Sequence, residues 1–257
     1  MKNLKAMQCG LIFTTVMLSA QCLAADVAAV LDWQQRMVLS TPVSGIVTDV
    51  NVSVGQVVSK NQLLIKLDDR GFRAGVKRAK SILVRATETH GEAKREEERA
   101  QELFDRTAIS VHDHELVKIE YAKAFASLSE AQAELTQAQL DLENSAIKSP
   151  LAGKVVQLYA HKNQTIANRF QVEPLIVIAS TEKMIARASV KADELKEMHL
   201  GQSIDVKVNG TVIPAKVTGL GLEPIGNTQD SNYALEVTFD TAGKIYRKGQ
   251  TAKITLP

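Results

Sequence analysis

The sequence predicts a mixed α and β chain of several domains: two related β segments separated by a long antiparallel helical hairpin, then a further β region with one short helix. Three observations carry this. A β-like segment at residues 42–58 returns at 150–166. Between the two copies a heptad pattern runs long enough for two helices. After the second copy come short β-rich runs punctuated by glycine.

The N-terminus reads MKNLKAMQCGLIFTTVMLSAQCLAAD. Lys2 and Lys5 supply a positive start, Gly10 to Ala20 a short apolar run, and Cys22 and Ala24 the small residues of a cleavage site. Residues 1–24 are therefore expected to be a cleaved export signal, leaving a mature, exported chain that begins at Ala25. Cys9 and Cys22 both leave with it, so the mature chain has no disulfide and no thiolate for catalysis or metal binding. The net charge of +2 loses Lys2 and Lys5 and falls to zero, which removes any global basic field for nucleic acid or anionic lipid.

The repeat is gap-free. PVSGIVTDVNVSVGQVV over PLAGKVVQLYAHKNQTI sets Pro42 on Pro150, Gly45 on Gly153, Val47 on Val155, Val50 on Leu158, Gln56 on Gln164 and Val58 on Ile166. Gly55 falls on Asn163, and these two residue types most readily take a left-handed turn. Gly45, Gly55, Gly153 and Asn163 are thus the expected turn positions, and apolar residues alternate between them as in short half-buried strands.

These segments resemble the half-motifs of the biotinyl/lipoyl carrier domain, a small β-sandwich of two similar halves. The resemblance implies a modifiable lysine on the turn between halves. Here the first half ends LLIKLDDRGF, with Arg70 about where that lysine would stand. Arginine cannot form the amide that attaches lipoate or biotin, so no prosthetic group or other cofactor is expected. Asp68 and Asp69 are read as ending the last strand and capping the helix that follows.

From Arg70 to Thr107, Val76, Leu83, His90, Glu97 and Phe104 recur every seven residues. Ala79, Ala86, Ala93, Ala100 and Thr107 form a second column three places later. From Asp113 to Ser145, Tyr121, Leu128, Leu135 and Leu142 stand three places before Ala124, Ala131, Ala138 and Ser145. These are the a and d positions of a coiled coil. The intervening TAISVHDH has room only for a reversal, so two antiparallel helices about 55 Å long are expected. The column Ile119, Ala126, Ala133 and Leu140 is apolar yet lies off the seam, at f, and is expected to face a neighbouring protomer.

A lipoyl-like sandwich split by a helical hairpin resembles the periplasmic adaptor, or membrane fusion, proteins of Gram-negative efflux and secretion pumps, HlyD-like and of the resistance-nodulation-division (RND) type. That resemblance implies a third domain, a six-stranded β-barrel with one helix. MIARASV, SIDVKV, IPAKVTGL, YALEVTF and TAKITLP read as strands and ADELKEM as the helix. Gly201, Gly210, Gly219, Gly226 and Gly249 punctuate them. The expected divisions are a first lipoyl-like half-motif with an N-terminal strand at 25–69, the hairpin at 70–147, the second half-motif at 148–180 and the barrel at 181–257. No later segment is apolar enough for a membrane span, and inner-membrane contact is expected to fall to the barrel.

Adaptors of this kind that dock on TolC-type outer-membrane channels resemble one another at the hairpin tip in a pattern of Arg, three residues, Leu, six residues, Ser. Arg99, Leu103 and Ser110 match it. Arg99 and Leu103 are i, i+4 and share a face, and Leu103 falls at g, outside the seam. The resemblance implies that the Leu fills a groove between channel helices while Arg and Ser supply hydrogen bonds. Against this stands the plain reading that single exposed leucines are ordinary and that Arg99 merely pairs with Glu96 or Glu102. The partners implied are an inner-membrane transporter, of the RND class before ABC or MFS, a TolC-type channel and further copies in a ring.

Catalytic readings are weaker. His112 and His114 are expected in a solvated loop, and two histidines do not complete a metal site. Met37, Met184 and Met198, the methionines of the mature chain, are too scattered to ferry copper. There is no phosphate loop and no nucleophile motif. An adaptor without enzymatic activity is expected; a free-standing scaffold or substrate-binding protein of the same fold is the alternative.

Overall fold

The computed structural model describes residues 26–167, 172–225 and 232–256; the expected export signal and Gly226 lie outside them. From the N-terminus run β1 (Asp26–Trp33), β2 (Arg36–Leu39), β3 (Gly45–Val50), β4 (Val57–Val58) and β5 (Leu63–Leu67). Two long helices follow, α1 (Arg70–Asp105) and α2 (Val111–Asn144). Then come β6 (Ala146–Lys148), β7 (Gly153–Leu158), β8 (Thr165–Ile166) and β9 (Ile176–Ala179). The last stretch holds β10 (Lys183–Lys191), α3 (Ala192–Leu195), β11 (Ser203–Val208), β12 (Thr211–Pro224), β13 (Asn232–Asp240) and β14 (Thr251–Thr255).

One compact unit, Asp32–Met184 with Asp240–Tyr246, contains the sandwich and the hairpin. Its two sheets run β2-β9-β7-β4 and β6-β5-β3-β8. The halves exchange strands: β3 of the first pairs with β8 of the second, and β7 of the second pairs with β4 of the first. Neither half can therefore complete a sheet alone. Val47, Val155, Leu64, Leu67, Leu175 and Ile178 interdigitate in the core, where removal of apolar area from water drives the fold.

One turn recurs five times among the described residues: Ser53–Gln56, Ser59–Gln62 and His161–Gln164 here, His199–Gln202 and Arg247–Gln250 in the other unit. In each, the fourth residue's N–H donates to the first residue's carbonyl. The third residue takes positive φ: Gly55 87°, Asn61 65°, Asn163 67°, Gly201 83° and Gly249 85°. That is a type II turn, which selects Gly or Asn there. The glutamine Oε1 then accepts the first residue's N–H, at 3.0 Å from Ser53 and 2.9 Å from His161. Each turn clips onto one buried residue through both its N–H and its carbonyl. Gly55 N–H donates to Val155 and Val155 N–H to Gln56, at 2.8 and 3.0 Å; Asn163 and Gln164 bond Val47 in the same way, at 2.8 and 2.9 Å.

This geometry corrects one expectation. Gly55 and Asn163 occupy turns, but Gly45 and Gly153 open strands β3 and β7 and have no positive φ. Gly153 serves space instead of backbone conformation. A Cβ on Gly153 would collide with the backbone carbonyl of Ala179, whereas on Gly45 its nearest neighbour is Leu67 Cδ1 at 3.4 Å.

The hairpin leaves and re-enters the sandwich between two strands that pair with each other, β5 and β6. Leu67 N–H bonds the Ser145 carbonyl at 2.8 Å, and Thr41 Oγ1 donates to the Asn144 carbonyl at 2.7 Å, tying both helix ends down. At the entry Asp69 is the N-cap but makes no side-chain cap bond. Asp68 Oδ1 accepts the Arg70 N–H instead, at 3.2 Å. The heptad seam is where the spacing puts it: every predicted a and d residue from Val76 to Phe104, and from Tyr121 to Ser145, is buried or half-buried. Thr107, exposed and past the helix end, is the exception.

The second unit is a closed barrel, in order β1-β10-β13-β12-β11-β14, with α3 between β10 and β11. Its strands alternate inward and outward, and Val206, Val217, Leu235, Val237 and Ile254 fill the interior. The sixth stave is β1, which the sequence reading grouped with the first half-motif. It pairs antiparallel with β14, Asp26 opposite Thr255. There Lys207 Nζ (3.0 Å) and Thr255 Oγ1 (2.9 Å) donate to Asp26, and the lysine hydrogen bond first of all lowers that carboxyl's pKa. Closure leaves the barrel no open sheet edge. No described helix is long and apolar enough to cross a membrane.

Candidate docking site at the hairpin tip

The tip is built by two caps. At the end of α1, Ala108 N–H bonds the Leu103 carbonyl and Thr107 N–H the Phe104 carbonyl, both at 2.8 Å. Thr107 has φ 57°. This is a Schellman motif, with threonine where glycine or asparagine is usual. α2 is then capped by Ser110, whose Oγ accepts the Asp113 N–H at 3.1 Å and donates to Asp113 Oδ2 at 2.7 Å. That cap starts α2 at Val111, ahead of the first heptad residue read from sequence.

The early start corrects the reading of the histidines. His114 lies inside α2, 4% exposed, its ring stacked on Phe104 at 4.6 Å between centroids. His112 is exposed on the first turn of α2. His90, deeper in the seam, packs against Tyr121 and Phe125. Both buried Nε2 atoms, of His90 and His114, have no hydrogen-bond partner. They are seam residues that happen to be imidazoles.

Arg99 and Leu103 lie on the last two turns of α1, and Ser110 caps the start of α2 across the reversal. Leu103 is 37% exposed and off the seam, while its neighbour Phe104 is in it. Arg99 Nη1 donates to Glu96 Oε1 at 2.5 Å, so the plain reading of its pairing holds within the protomer. Ser110 is committed to its cap. A docking bond from its hydroxyl has to compete with Asp113, and a structural role accounts for the residue by itself. Val111, 64% exposed beside Ser110, is an apolar tip residue that the spacing pattern does not mark. Alongside runs an open groove of about 570 Å³ lined by Ala93, Leu116 and Val117, with Glu92, Glu96 and Glu120 on its rim. Each rim carboxylate pairs with a cation of its own helix, Arg95, Arg99 and Lys123.

Ile119 and Leu140 are about half exposed and Ala126 and Ala133 are exposed, forming a column on the back of α2. At the start of the hairpin, Arg70 opens α1 and pairs with Asp68 at 2.6 Å. Its guanidinium hydrogen bond brings the Asp68 pKa down to about 2.

The sequence family described as "RND MFP, barrel-sandwich hybrid domain" matches residues 36–179. The macrolide export protein MacA of Escherichia coli O157:H7 is 26% identical over 186 residues, covering 67% of this chain and 50% of that protein. The colistin resistance protein EmrA of Acinetobacter baumannii is 23% identical over 223 residues, covering 65% and 62%. The chain spans about half the length of the MacA proteins it matches. Among solved structures, the membrane fusion protein Spr0693 of Streptococcus pneumoniae R6 superposes with a TM-score of 0.70 at 18% identity, covering 91% of this chain and 99% of that one. A MacA–MexA chimera bearing the Pseudomonas aeruginosa MexA hairpin gives 0.66 at 22% identity, covering 91% and 79%. Sandwich, inserted hairpin and family match converge, and the chain belongs to the membrane fusion proteins, the periplasmic adaptor family of efflux pumps.

Proposed function

We propose that this chain is the periplasmic adaptor subunit of a tripartite export pump, joining an inner-membrane transporter to a TolC-type outer-membrane channel through the hairpin tip. After cleavage behind Ala24 it acts in the periplasm as a ring of copies, because one two-helix hairpin cannot wall a duct. The column Ile119, Ala126, Ala133 and Leu140 faces the neighbouring copy. Relatives named for macrolide export and colistin resistance support an export role.

The observation that carries the docking reading is Leu103, a large apolar side chain kept outside the seam at the one reversal of the hairpin, with Arg99 one turn behind it. Truncating Leu103 to Ala removes about 1–3 kcal/mol from each docking contact. Repeated around a ring, that loss abolishes channel capture. A surface change of this kind costs the hairpin itself under about 0.5 kcal/mol.

The test compares export, protein level and helicity in Leu103→Ala, Arg99→Asp and the seam variant Leu128→Ala. Both tip variants are expected to abolish export at wild-type helicity, while Leu128→Ala lowers helicity first. Ser110→Asp keeps an N-cap acceptor and separates capping from docking. Normal export by Leu103→Ala beside a failing Leu128→Ala would reduce the hairpin to a folded rod and refute the tip reading.

A further inference from the structure

The basal half of the hairpin is divided by charge. α1 from Arg70 to Arg85 carries six basic residues and no acidic one; α2 from Ala126 to Asn144 carries Glu130, Glu134, Asp141 and Glu143 and no basic one. Within the protomer these opposite charges are largely unspent on each other. Arg78–Glu134, at 3.7 Å, is the one ion pair between the helices among the described residues. Arg70 and Arg73 turn to Asp68 and Asp69. Lys77, Lys80 and Arg85 on α1, and Glu130 and Glu143 on α2, are exposed and make no ion pair there.

The heptad positions decide where these charges point. The column from Ile119 to Leu140 is f, the back of α2, and Glu130 and Glu143 flank it at c and b. On α1 the basal f positions are Ala74 and Ser81, small and exposed, flanked by Lys77, Arg78 and Arg85 at b and c. Each helix thus presents outward a strip of small or apolar residues edged by one sign of charge, acidic on α2 and basic on α1. The contacts Arg78–Glu134 and His90–Tyr121 set the heights. Leu140 lies about level with Ala74, Ala133 with Ser81 and Glu130 with Arg85.

We propose that neighbouring copies pack head to tail through these basal strips, the acidic back of α2 of one hairpin against the basic back of α1 of the next. The inference rests on the ring reading above and supplies its interface. Such a contact is heterologous, two different surfaces on each copy, and closes into a ring when the rotation between copies allows. The outer half does not take part. There α1 from Ala86 to Asp105 has seven acidic and three basic residues, and α2 from Val111 to Phe125 three and two, so both outer segments carry net negative charge. Attraction is confined to the base.

Two variants of the mature protein test this, Lys77→Glu with Arg85→Glu, and Glu130→Lys with Glu143→Lys. Sedimentation velocity and carbodiimide crosslinking, which joins touching carboxylates and amines, report assembly, and circular dichroism reports helicity. Wild type is expected to associate at low salt and to lose association at about 0.5 M salt. Each variant alone is expected to associate about tenfold more weakly or worse at low salt. An equimolar mixture is expected to recover assembly, since every α1–α2 contact between unlike variants again joins opposite signs. A merely unfolded variant cannot be rescued in this way.

Variants that assemble like wild type, or a mixture that fails to recover, overturn the inference. If Ala126→Glu with Ala133→Glu alone breaks assembly while the charge variants do not, the ring stands and its charge code falls. Wild type that stays monomeric and uncrosslinked at low salt up to about 0.1 mM sinks both.

Discussion

The two half-motifs of the sandwich look interchangeable in sequence and are not interchangeable in structure. Val47 and Val155 match in every respect: both are buried, and each is clipped by the other half's turn through the same two backbone bonds. Gly45 and Gly153 match in sequence only. The first has room for a side chain; the second lies against the carbonyl of Ala179. A repeated pattern therefore reports a shared backbone path, while the reason for each residue is set by what lies opposite it. The exchanged strands explain why: β3 and β7 meet different neighbours, β5 and β8 for one, β4 and β9 for the other.

The largest expected break of the symmetry is Gly153→Ala against Gly45→Ala. Pushing a methyl into backbone costs about 3 kcal/mol, whereas Gly45→Ala stays within about 0.5 kcal/mol. Urea unfolding of the two proteins reads the difference directly, and equal midpoints would refute the spatial account. Next come Val47→Ala and Val155→Ala, each expected to cost about 2–3 kcal/mol through lost burial and a residual cavity. Here the comparison predicts equality, and a gap above about 1 kcal/mol would show that the halves do not share one core.

Gln56→Ala and Gln164→Ala each remove one acceptor from a turn and should lower stability by about 0.5–1 kcal/mol. Gln56→Glu and Gln164→Glu keep an acceptor and should restore most of it. The smallest effect concerns the way the halves end, the first on Asp68 and the second without such a group. Because the folded Asp68 pKa is lowered, to about 2, its stabilisation is present above the ordinary carboxylate pKa of about 3.9 and is lost as pH falls toward 2. Asp68→Asn should remove that dependence, seen as a flatter stability profile between about pH 4 and 2, with little change at neutral pH because the pair is solvent-exposed.

The hairpin seam was legible because its signal is local. A period of seven in Ala79, Ala100, Ala124 and Ala131 needs no knowledge of distant partners, and all four are buried. The barrel was legible through the family resemblance and five of its strands, but its sixth stave was not, since β1 is an alternating segment whose partner, β14, lies at the other end of the chain. β12 runs from Thr211 to Pro224, beyond the predicted stretch on both sides, because β11 pairs with its start and β13 with its far end through bulges that break the alternation. The five turns had a sequence mark, Gly or Asn followed by Gln, that passes unnoticed until the glutamine oxygen is seen closing on the backbone. At the tip, spacing picked out Leu103 off the seam. It did not reveal that Ser110 is an N-cap or that His114 belongs to the seam, because both depend on where α2 begins.

The pairing of β1 with β14 also orders events in time. The helices of the hairpin are close in sequence and can zip together from the reversal as soon as both exist, while the sandwich must wait for β7, β8 and β9 to find strands made far earlier. The barrel waits longest. Its first stave precedes every other described strand in the chain and has its edge uncovered until β14 arrives, so throughout synthesis an alternating, half-apolar strand stands without one of its neighbours. The late arrival of five residues, Thr251–Thr255, is what makes the barrel whole.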